Sequence, residues 1–222
     1  MDLYNYDWEH QQHWSLQGYP PRPEQKQIIN EIIEAIELGF KNIILEAGTG
    51  TGKSAIATTI ANYVGDSYIL TMTKQLQNQY LDDFEYMLSE IKGTSNYHCS
   101  IRPTNCDDCL QLDNNRGRHT DCPYKIVLEN AKEHPCVITN YDYLFYAGNY
   151  AQVFEKRELL VLDESHNLEK KIMHLIGKTL NRQNIYKHYG LDIFYPVVNG
   201  ATLKSIDNED YWIGQLQELM VR

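Results

Sequence analysis

The part of the sequence with the clearest chemical signal is a glycine-rich turn between an apolar run and a helical pattern. The stretch reads NIILEAGTGTGKS and covers residues 42–54. Its glycines allow backbone N–H groups to curl around phosphate oxygens, and the helix that follows points its positive end at the same anion. A turn with only a connecting role is the alternative. The strand, loop and helix together favour a loop that binds nucleotide phosphates.

The polar residues of this loop have predicted roles in phosphate and metal binding. Lys53 is predicted to place its ammonium group on the β- and γ-phosphates. The Ser54 hydroxyl is predicted to ligate a Mg²⁺ ion that bridges the same phosphates. Ala47 replaces the first glycine of the usual pattern. The other loop residues predicted to surround the nucleotide are Gly48, Thr49, Gly50, Thr51 and Gly52.

Two adjacent carboxylates follow a second apolar run, LLVLD at residues 159–163. Asp163 is predicted to hold Mg²⁺ through water, and Glu164 to orient and deprotonate the water that attacks the γ-phosphate. Acidic pairs also cap helices, so the same residues fit the start of a helix near His166. The presence of a phosphate loop in the same chain favours nucleotide hydrolysis over a simple cap.

Four cysteines lie in one segment that shows little apolar periodicity. They are Cys99, Cys106, Cys109 and Cys122, spaced C-x6-C-x2-C-x12-C. A loop of about thirty residues without its own core is uncommon unless something organises it, so the thiols predict a metal centre. Disulfides are one alternative, and zinc is another because four cysteines also form structural zinc sites. The single close pair and the Pro123 after the last cysteine favour a [4Fe–4S] cluster.

The phosphate loop and the acidic pair together resemble the motifs of superfamily 2 helicases of the DEAH type. With the cysteines between them, they resemble the iron–sulfur helicases of the XPD and DinG type. The acidic box here reads Asp163-Glu164-Ser165-His166, with serine in place of the usual alanine. The resemblance covers residues 19 to about 169. It implies ATP, Mg²⁺ and a [4Fe–4S] cluster as cofactors.

The same resemblance implies roles for residues outside these motifs. Tyr19 and Gln25 lie in a segment similar to one that packs on adenine, so Gln25 is expected to read the base and Tyr19 to stack on it. His166 is expected to couple the nucleotide state to the rest of the motor. Taken singly, the threonines near the first strand end also fit ordinary helix caps. The residues expected to contact the nucleic-acid backbone are Thr71, Thr73, Asn140 and Tyr141.

The elements that must position these residues alternate between helix and strand. Isoleucines at helical spacing predict a helix from Pro23 to about Gly39. Further apolar runs predict buried strands at residues 43–45, 67–71 and 136–139. This alternation predicts an α/β fold of the RecA-like P-loop type, with a parallel sheet and helices on both faces. The phosphate loop and Asp163 are then expected at the same edge of the sheet, where ligands bind in this architecture.

The length of the chain limits its organisation to one nucleotide-binding core with a small insertion, because it has 222 residues. Helicases of the resembled type need a second motor domain that supplies an arginine, and no Gln-x-x-Gly-Arg-x-x-Arg stretch is present. The chain is therefore expected to be an N-terminal portion, with a second motor domain from the same gene or a separate chain as its partner. The predicted division is residues 1–91 and 134–169 for the motor domain, 92–133 for the iron–sulfur insertion and 170–222 for the helical start of an arch-like domain.

The net charge is −10, but the cysteine segment at residues 92–133 carries as many basic as acidic side chains. No stretch is apolar enough to span a membrane, and the start lacks a signal pattern, so a cytoplasmic location is expected. The resemblance implies an ATP-dependent DNA helicase that acts on single-stranded or forked DNA in the 5′ to 3′ direction. The alternatives are an ATP- and DNA-binding module with little activity alone, and a zinc-containing P-loop NTPase that does not act on DNA.

Overall fold

The structure is a computed structural model that describes residues 8–100, 103–106, 121–147 and 154–176. The chain divides into two compact units, Met1–Lys171 and Ile172–Arg222. The sheet and the candidate site lie in the first unit. No helix in the described part of the chain is long and apolar enough to cross a membrane.

Helices and strands alternate along the described residues. The helices are α1 (Pro23–Glu37), α2 (Lys53–Val64), α3 (Lys74–Phe84), α4 (Pro123–Glu133), α5 (Tyr141–Tyr146) and α6 (Leu168–Ile176). The strands are β1 (Ser67–Thr71), β2 (Ser89–Glu90), β3 (Cys136–Asn140) and β4 (Leu159–Leu162). This alternation confirms the predicted α/β class.

The four strands form one sheet in the order β2-β3-β1-β4, and all neighbouring strands are parallel. Thr71 at the end of β1 lies opposite Asn140 at the end of β3, and Leu70 lies opposite Leu162 of β4. Because parallel strands end on the same side, the residues that follow these three strands meet at one edge of the sheet. The parallel sheet predicted from the sequence is confirmed.

Helices cover both faces of the sheet because side chains of a strand alternate between them. Tyr68 and Leu70 of β1 pack in a cluster with side chains of α4 and α5. Ile69, between them, packs in a second cluster with side chains of α2 and α3. A third cluster joins α1 to α2 through isoleucines such as Ile29 and Ile56. The helix that begins at the phosphate loop is therefore held between the sheet and α1.

The strand predicted at residues 43–45 is wrong, because this segment has no regular secondary structure. Ile44 is 91% exposed rather than buried. A strand forms where a neighbouring strand pairs with its backbone groups, and within the described residues the sheet ends at β4. Leu160 of that edge strand is also exposed. The apolar run predicted burial, but nothing in the described part of the chain covers these side chains.

Candidate functional site

The phosphate loop leads into α2, and its exposed tip is formed by Gly48, Thr49 and Gly50. Gly50 and Gly52 have φ angles of +77° and +83°, which glycine adopts without the steric cost of a side chain. A Cβ atom at position 52 would also overlap the side-chain amide of Gln25. Glycine is therefore required at position 52 by both backbone conformation and space.

Lys53 places its ammonium group inside the curve of the loop. Its Nζ donates to the carbonyl of Ala47 at 2.9 Å and to that of Gly48 at 3.0 Å. The Thr51 hydroxyl closes the same turn by donating to the Gly48 carbonyl at 2.9 Å. Phosphate oxygens are stronger partners for an ammonium group than neutral carbonyls, because the hydrogen bond then joins opposite charges. The loop is shaped and charged to receive a phosphate.

Gln25 is buried and braces the loop from the first turn of α1. Its Oε1 accepts from the backbone N–H of Arg22 at 2.8 Å, and its Nε2 donates to the Thr51 carbonyl at 2.9 Å. The Arg22 guanidinium donates to the Gly50 carbonyl at 3.0 Å. Base reading by Gln25 stays a prediction, and so does stacking by Tyr19, whose side chain is exposed. The structure adds a second role for Gln25, which is to position the phosphate loop.

Asp163 follows β4 directly, and its backbone continues the sheet by donating to the Leu70 carbonyl at 3.0 Å. Its own carbonyl accepts from the Tyr141 hydroxyl at 2.9 Å. Burial, and then the neighbouring Glu164 carboxylate, raises the pKa of Asp163 above its ordinary value. The Lys53 charge acts on the same pKa in the opposite direction. The phosphate loop and the acidic pair are therefore close enough to interact electrostatically.

Glu164 has a φ angle of +54° and is, among the described residues, the single non-glycine residue with positive φ. Its backbone N–H donates to Asp163 Oδ1 at 3.0 Å, and its Oε2 lies 3.2 Å from His166 Nδ1. Backbone strain of this kind costs about 1–3 kcal/mol and is typical of functional sites. The Glu164 side chain is exposed, so water reaches its carboxylate. His166 is exposed as well, and its Nε2 lies 2.7 Å from Asn167 Nδ2.

Tyr80 is a residue of this site that the sequence analysis missed. It lies on α3 and is 2% exposed, and its hydroxyl lies near the side chains of Ser54 and Asp163, which both act on its pKa. Burial, and then the Asp163 charge, raises the pKa of Tyr80, so the phenol stays protonated at neutral pH. The signal in the sequence was a helical spacing of Tyr80 and Phe84, which predicts a core residue and nothing more.

The donor set of the site fits a magnesium ion bound with a nucleotide. Ser54 at the start of α2 and Asp163 at the end of β4 bring hard oxygen donors together, which is the ligand type that Mg²⁺ prefers. The like charges of Asp163 and Glu164 are costly where Asp163 is half-buried, and a divalent cation would offset that cost. Lys53 adds a positive charge beside these oxygen donors.

A second surface lies at the same edge of the sheet, at the ends of β1 and β3. Thr73 caps α3 by accepting from the backbone N–H of Leu76 at 3.2 Å. Asn140 caps α5 by accepting from the backbone N–H of Tyr143 at 2.9 Å. Both residues line a cavity of about 360 Å³, together with Lys74. Two of the four predicted nucleic-acid contacts therefore lie side by side on one concave surface.

Thr71 and Tyr141 do not line this surface, because both side chains are completely buried. The Thr71 hydroxyl donates to the Thr73 carbonyl at 3.2 Å. The Tyr141 hydroxyl donates to the Asp163 carbonyl at 2.9 Å. Contact of these two residues with nucleic acid stays a prediction, and in the structure neither side chain is exposed to make it. Their hydroxyls hold the backbone at Thr73, behind the concave surface, and at Asp163, in the acidic pair.

The cysteine segment begins with a short paired turn. An antiparallel bridge joins His98 to Asn105, and the Cys99 N–H donates to the Thr104 carbonyl at 2.8 Å. The Cys106 N–H follows by donating to the Tyr97 carbonyl at 2.9 Å. This pairing holds the backbones on either side of the turn together, so Cys99 and Cys106 lie on facing arms.

The turn and the start of α4 bring cysteine thiols together. Cys106 and Cys122 are buried, and their thiols are close enough for each to act on the other's ionisation. Burial, followed by the interaction with Cys122, raises the pKa of the Cys106 thiol to about 11. Cys109 lies outside the described residues. Within the residues that the structure describes, no group of three or more His, Cys, Asp or Glu side chains is arranged to hold a metal ion.

Comparison with known proteins adds family information to this geometry. The family described as "Type III restriction enzyme, res subunit" (ResIII) matches residues 18–192, which is well over half of the chain. A protein named 3'-5' exonuclease DinG, from Staphylococcus epidermidis, is 24% identical over 84% of this chain and 26% of its own length. UvrABC system protein B from Lactobacillus acidophilus is 35% identical over 30% of this chain and 10% of its own length. The chain thus spans about a quarter or less of these relatives.

Proposed function

Because this chain belongs to the ResIII family of helicase-type P-loop domains, we propose that it binds and hydrolyses Mg²⁺–ATP as the first motor domain of a DNA helicase. The observation that carries the proposal is the convergence of Lys53, Ser54 and Asp163, which come from the phosphate loop and from the end of β4. Nucleotide-dependent motors need this combination, in which one cation and one metal-binding pair meet the same phosphates.

The residues of the site divide the work of hydrolysis. Lys53 binds the β- and γ-phosphates and offsets the charge that develops on them. Ser54 and Asp163 would hold Mg²⁺, which would supply positive charge to the phosphate oxygens. Glu164 orients the attacking water and accepts its proton on the carboxylate. His166, in contact with Glu164, transmits the nucleotide state to other parts of the motor.

The concave surface at the ends of β1 and β3 is proposed to bind the backbone of single-stranded or forked DNA, with translocation from 5′ to 3′. Thr73 and Asn140 offer a hydroxyl and an amide, and Lys74 adds a positive charge, with its Nζ 2.6 Å from Asn96 Oδ1. Groups of this kind bind phosphates and sugars without reading base sequence. That property suits an enzyme that must move along DNA of any sequence.

The proposed arrangement of the polypeptide has a motor domain at residues 1–91 and 134–169, an iron–sulfur insertion at 92–133, and the start of an arch-like domain at 170–222. A second motor domain, from the same gene or a separate chain, would complete the ATP site with an arginine. Two observations support a larger assembly. The chain covers 26% of the length of the DinG relative, and the apolar residues at positions 43–45 and 160 are exposed.

The proposed function is tested by measuring ligand binding and ATP turnover on the same preparation of the 222-residue chain. We expect saturable binding of Mg²⁺–ATP and of a fluorescent single-stranded oligonucleotide, with oligonucleotide affinity falling as salt rises. Turnover is expected to be slow, because the arginine of a second motor domain contributes about 10³–10⁵ in rate. A chain that binds ATP but shows no salt-dependent oligonucleotide binding would contradict a role on DNA.

The cysteine segment is proposed to hold a [4Fe–4S] cluster through Cys99, Cys106, Cys109 and Cys122. The contact between the Cys106 and Cys122 thiols and the paired turn at Cys99 support a shared site. Four thiolates are the ligand set of such a cluster. Zinc is the chemical competitor, since it accepts the same ligands.

Serine substitution of any one of these four cysteines is expected to remove the bound iron, because metal ligation takes the place of an apolar core in this segment. Cys136 is the matched control, since it is also a cysteine but lies buried in β3. Cys136→Ser is expected to keep its iron. The measurement is iron and sulfide analysis of each variant purified without oxygen. Stoichiometric zinc in place of iron would refute the cluster, and equal iron loss from Cys136→Ser would show that the wrong thiols were chosen.

A further inference from the structure

The concave surface at the ends of β1 and β3 is lined by two helices with different chemistry. On the side of α3 it is lined by Thr73 and Lys74, where that helix begins. On the side of α5 it is lined by Asp142, Tyr143 and Tyr146. Its volume of about 360 Å³ lies at the small end of the range for ligand cavities, about 300–1,000 Å³, and suits one nucleotide rather than a base pair.

The charges on this surface favour a backbone phosphate on the α3 side. Lys74 supplies a positive charge there, and the Thr73 hydroxyl adds a neutral hydrogen-bonding group. On the α5 side, Asp142 forms an ion pair with Lys171 at 2.7 Å, so the two charges offset each other and a phosphate gains little. The base of a nucleotide whose phosphate lies beside Lys74 is therefore expected on the α5 side.

The α5 side offers an accessible aromatic ring to that base. Residues three and four apart on a helix are neighbours, so Asp142, Tyr143 and Tyr146 share one face of α5. Tyr143 is buried, with its hydroxyl 2.7 Å from the Tyr124 hydroxyl and its ring packed edge-on against Phe154. Tyr146 ends the helix and is 58% exposed. Tyr143 thus anchors α5, and Tyr146 lines the cavity with a ring that solvent reaches.

We propose that Tyr146 stacks on a base of the bound strand and so gives the concave surface its preference for single-stranded over double-stranded nucleic acid. The inference rests on the proposed function, since it assumes that a nucleic-acid backbone lies beside Lys74. Every base has a flat face that stacks on an aromatic ring without regard to sequence. The bases inside a duplex are already stacked on each other, so they offer no free face to Tyr146.

The test compares two fluorescent single strands with the same number of phosphates, one of mixed base sequence and one built from abasic analogues. Wild type is expected to bind the base-bearing strand more tightly. In Tyr146→Ala the affinity for that strand is expected to fall about 5- to 150-fold, the usual effect of losing one stacked base, while the affinity for the abasic strand stays within about twofold. The salt dependence of binding should not change, because it reports phosphate contacts.

Three further variants and a duplex separate stacking from other effects. Tyr146→Phe keeps the ring and is expected to bind both strands as wild type does. Tyr86→Ala is the matched control, because it removes an exposed tyrosine that does not line the cavity, and it is expected to change nothing. Lys74→Ala is expected to weaken both strands and to lower the slope of log affinity against log salt by about 0.7, the contribution of one phosphate contact in a single strand. A blunt duplex should bind equally to wild type and Tyr146→Ala.

The outcomes distinguish failure of this inference from failure of the proposed function. If wild type shows no salt-dependent binding of either strand, the proposed nucleic-acid surface is wrong and the role of Tyr146 falls with it. If wild type binds and Tyr146→Ala keeps wild-type affinity for the base-bearing strand, the stacking role alone is wrong. An equal loss for base-bearing and abasic strands, or an equal loss in Tyr146→Phe, would show that the ring does not act by stacking and would also overturn the inference.

Discussion

The Lys53→Ala variant is expected to lose binding of Mg²⁺–ATP. In the structure Nζ of Lys53 occupies the curve of the loop, held by the carbonyls of Ala47 and Gly48. Two charge-assisted hydrogen bonds to phosphate contribute about 3–6 kcal/mol together, which corresponds to roughly 10²–10⁴ in affinity. The neighbouring Arg22 side chain is directed to the Gly50 carbonyl rather than into the curve, so it does not replace the lost ammonium group.

The loss of ATP affinity is measured by competition between ATP and a fluorescent ATP analogue. The control is Lys132→Ala, which removes a lysine from α4 that is paired with Glu129 at 3.3 Å on the protein surface. Its affinity for Mg²⁺–ATP is expected to equal that of wild type. Wild-type affinity in the Lys53→Ala variant would show that residues 47–54 do not form a phosphate loop.

Glu164→Gln is expected to separate binding from hydrolysis. The amide keeps the shape of the side chain but does not accept the proton of the attacking water, and loss of a general base typically slows the reaction by about 10²–10⁴. Binding of Mg²⁺–ATP should be retained. Removing the Glu164 charge also removes one cause of the raised pKa of Asp163, so the neighbouring carboxylate ionises at least as readily as in wild type.

Release of labelled γ-phosphate in a single turnover tests this variant without demanding fast steady-state catalysis. Glu169→Gln is the matched control, because Glu169 is an exposed glutamate in the first turn of α6, close in sequence to the acidic box. Its rate is expected to equal that of wild type. An unchanged rate in Glu164→Gln would show that Glu164 is not the general base. A loss of ATP affinity as large as the loss of rate would indicate a structural role instead.

Much of the fold followed from the pattern of apolar residues, because burial and strand pairing coincide in most of this sheet. The run at residues 67–71 forms β1, and the runs before Asn140 and Asp163 form β3 and β4. The run at residues 43–45 has the same composition but remains exposed. Their apolar side chains favour burial. A strand also requires a neighbouring strand whose backbone N–H and C=O groups are free to pair with it. Composition alone does not supply that neighbour.

In the candidate site, features set by neighbouring residues could be predicted, whereas contacts between distant parts of the chain could not. The phosphate loop, with its glycines and Lys53, could be predicted because its conformation depends on only a few consecutive residues. The bracing of the loop by Gln25 and the contact of Tyr80 with Asp163 join residues that are far apart in the chain. The burial of Thr71 and Tyr141 could not be predicted either. A polar side chain near a strand end points to solvent or to the core, depending on which helix packs beside it.

Calorimetric titration of ATP into the wild-type chain, with Mg²⁺ and then with EDTA, tests most directly whether Lys53, Ser54 and Asp163 form a nucleotide site. The expected result is saturable binding of one nucleotide per chain, with affinity that falls sharply when Mg²⁺ is removed, because Ser54 and Asp163 then lose the ion they are placed to hold. Absence of saturable heat in the presence of Mg²⁺, or an affinity that is indifferent to EDTA, would contradict that assignment.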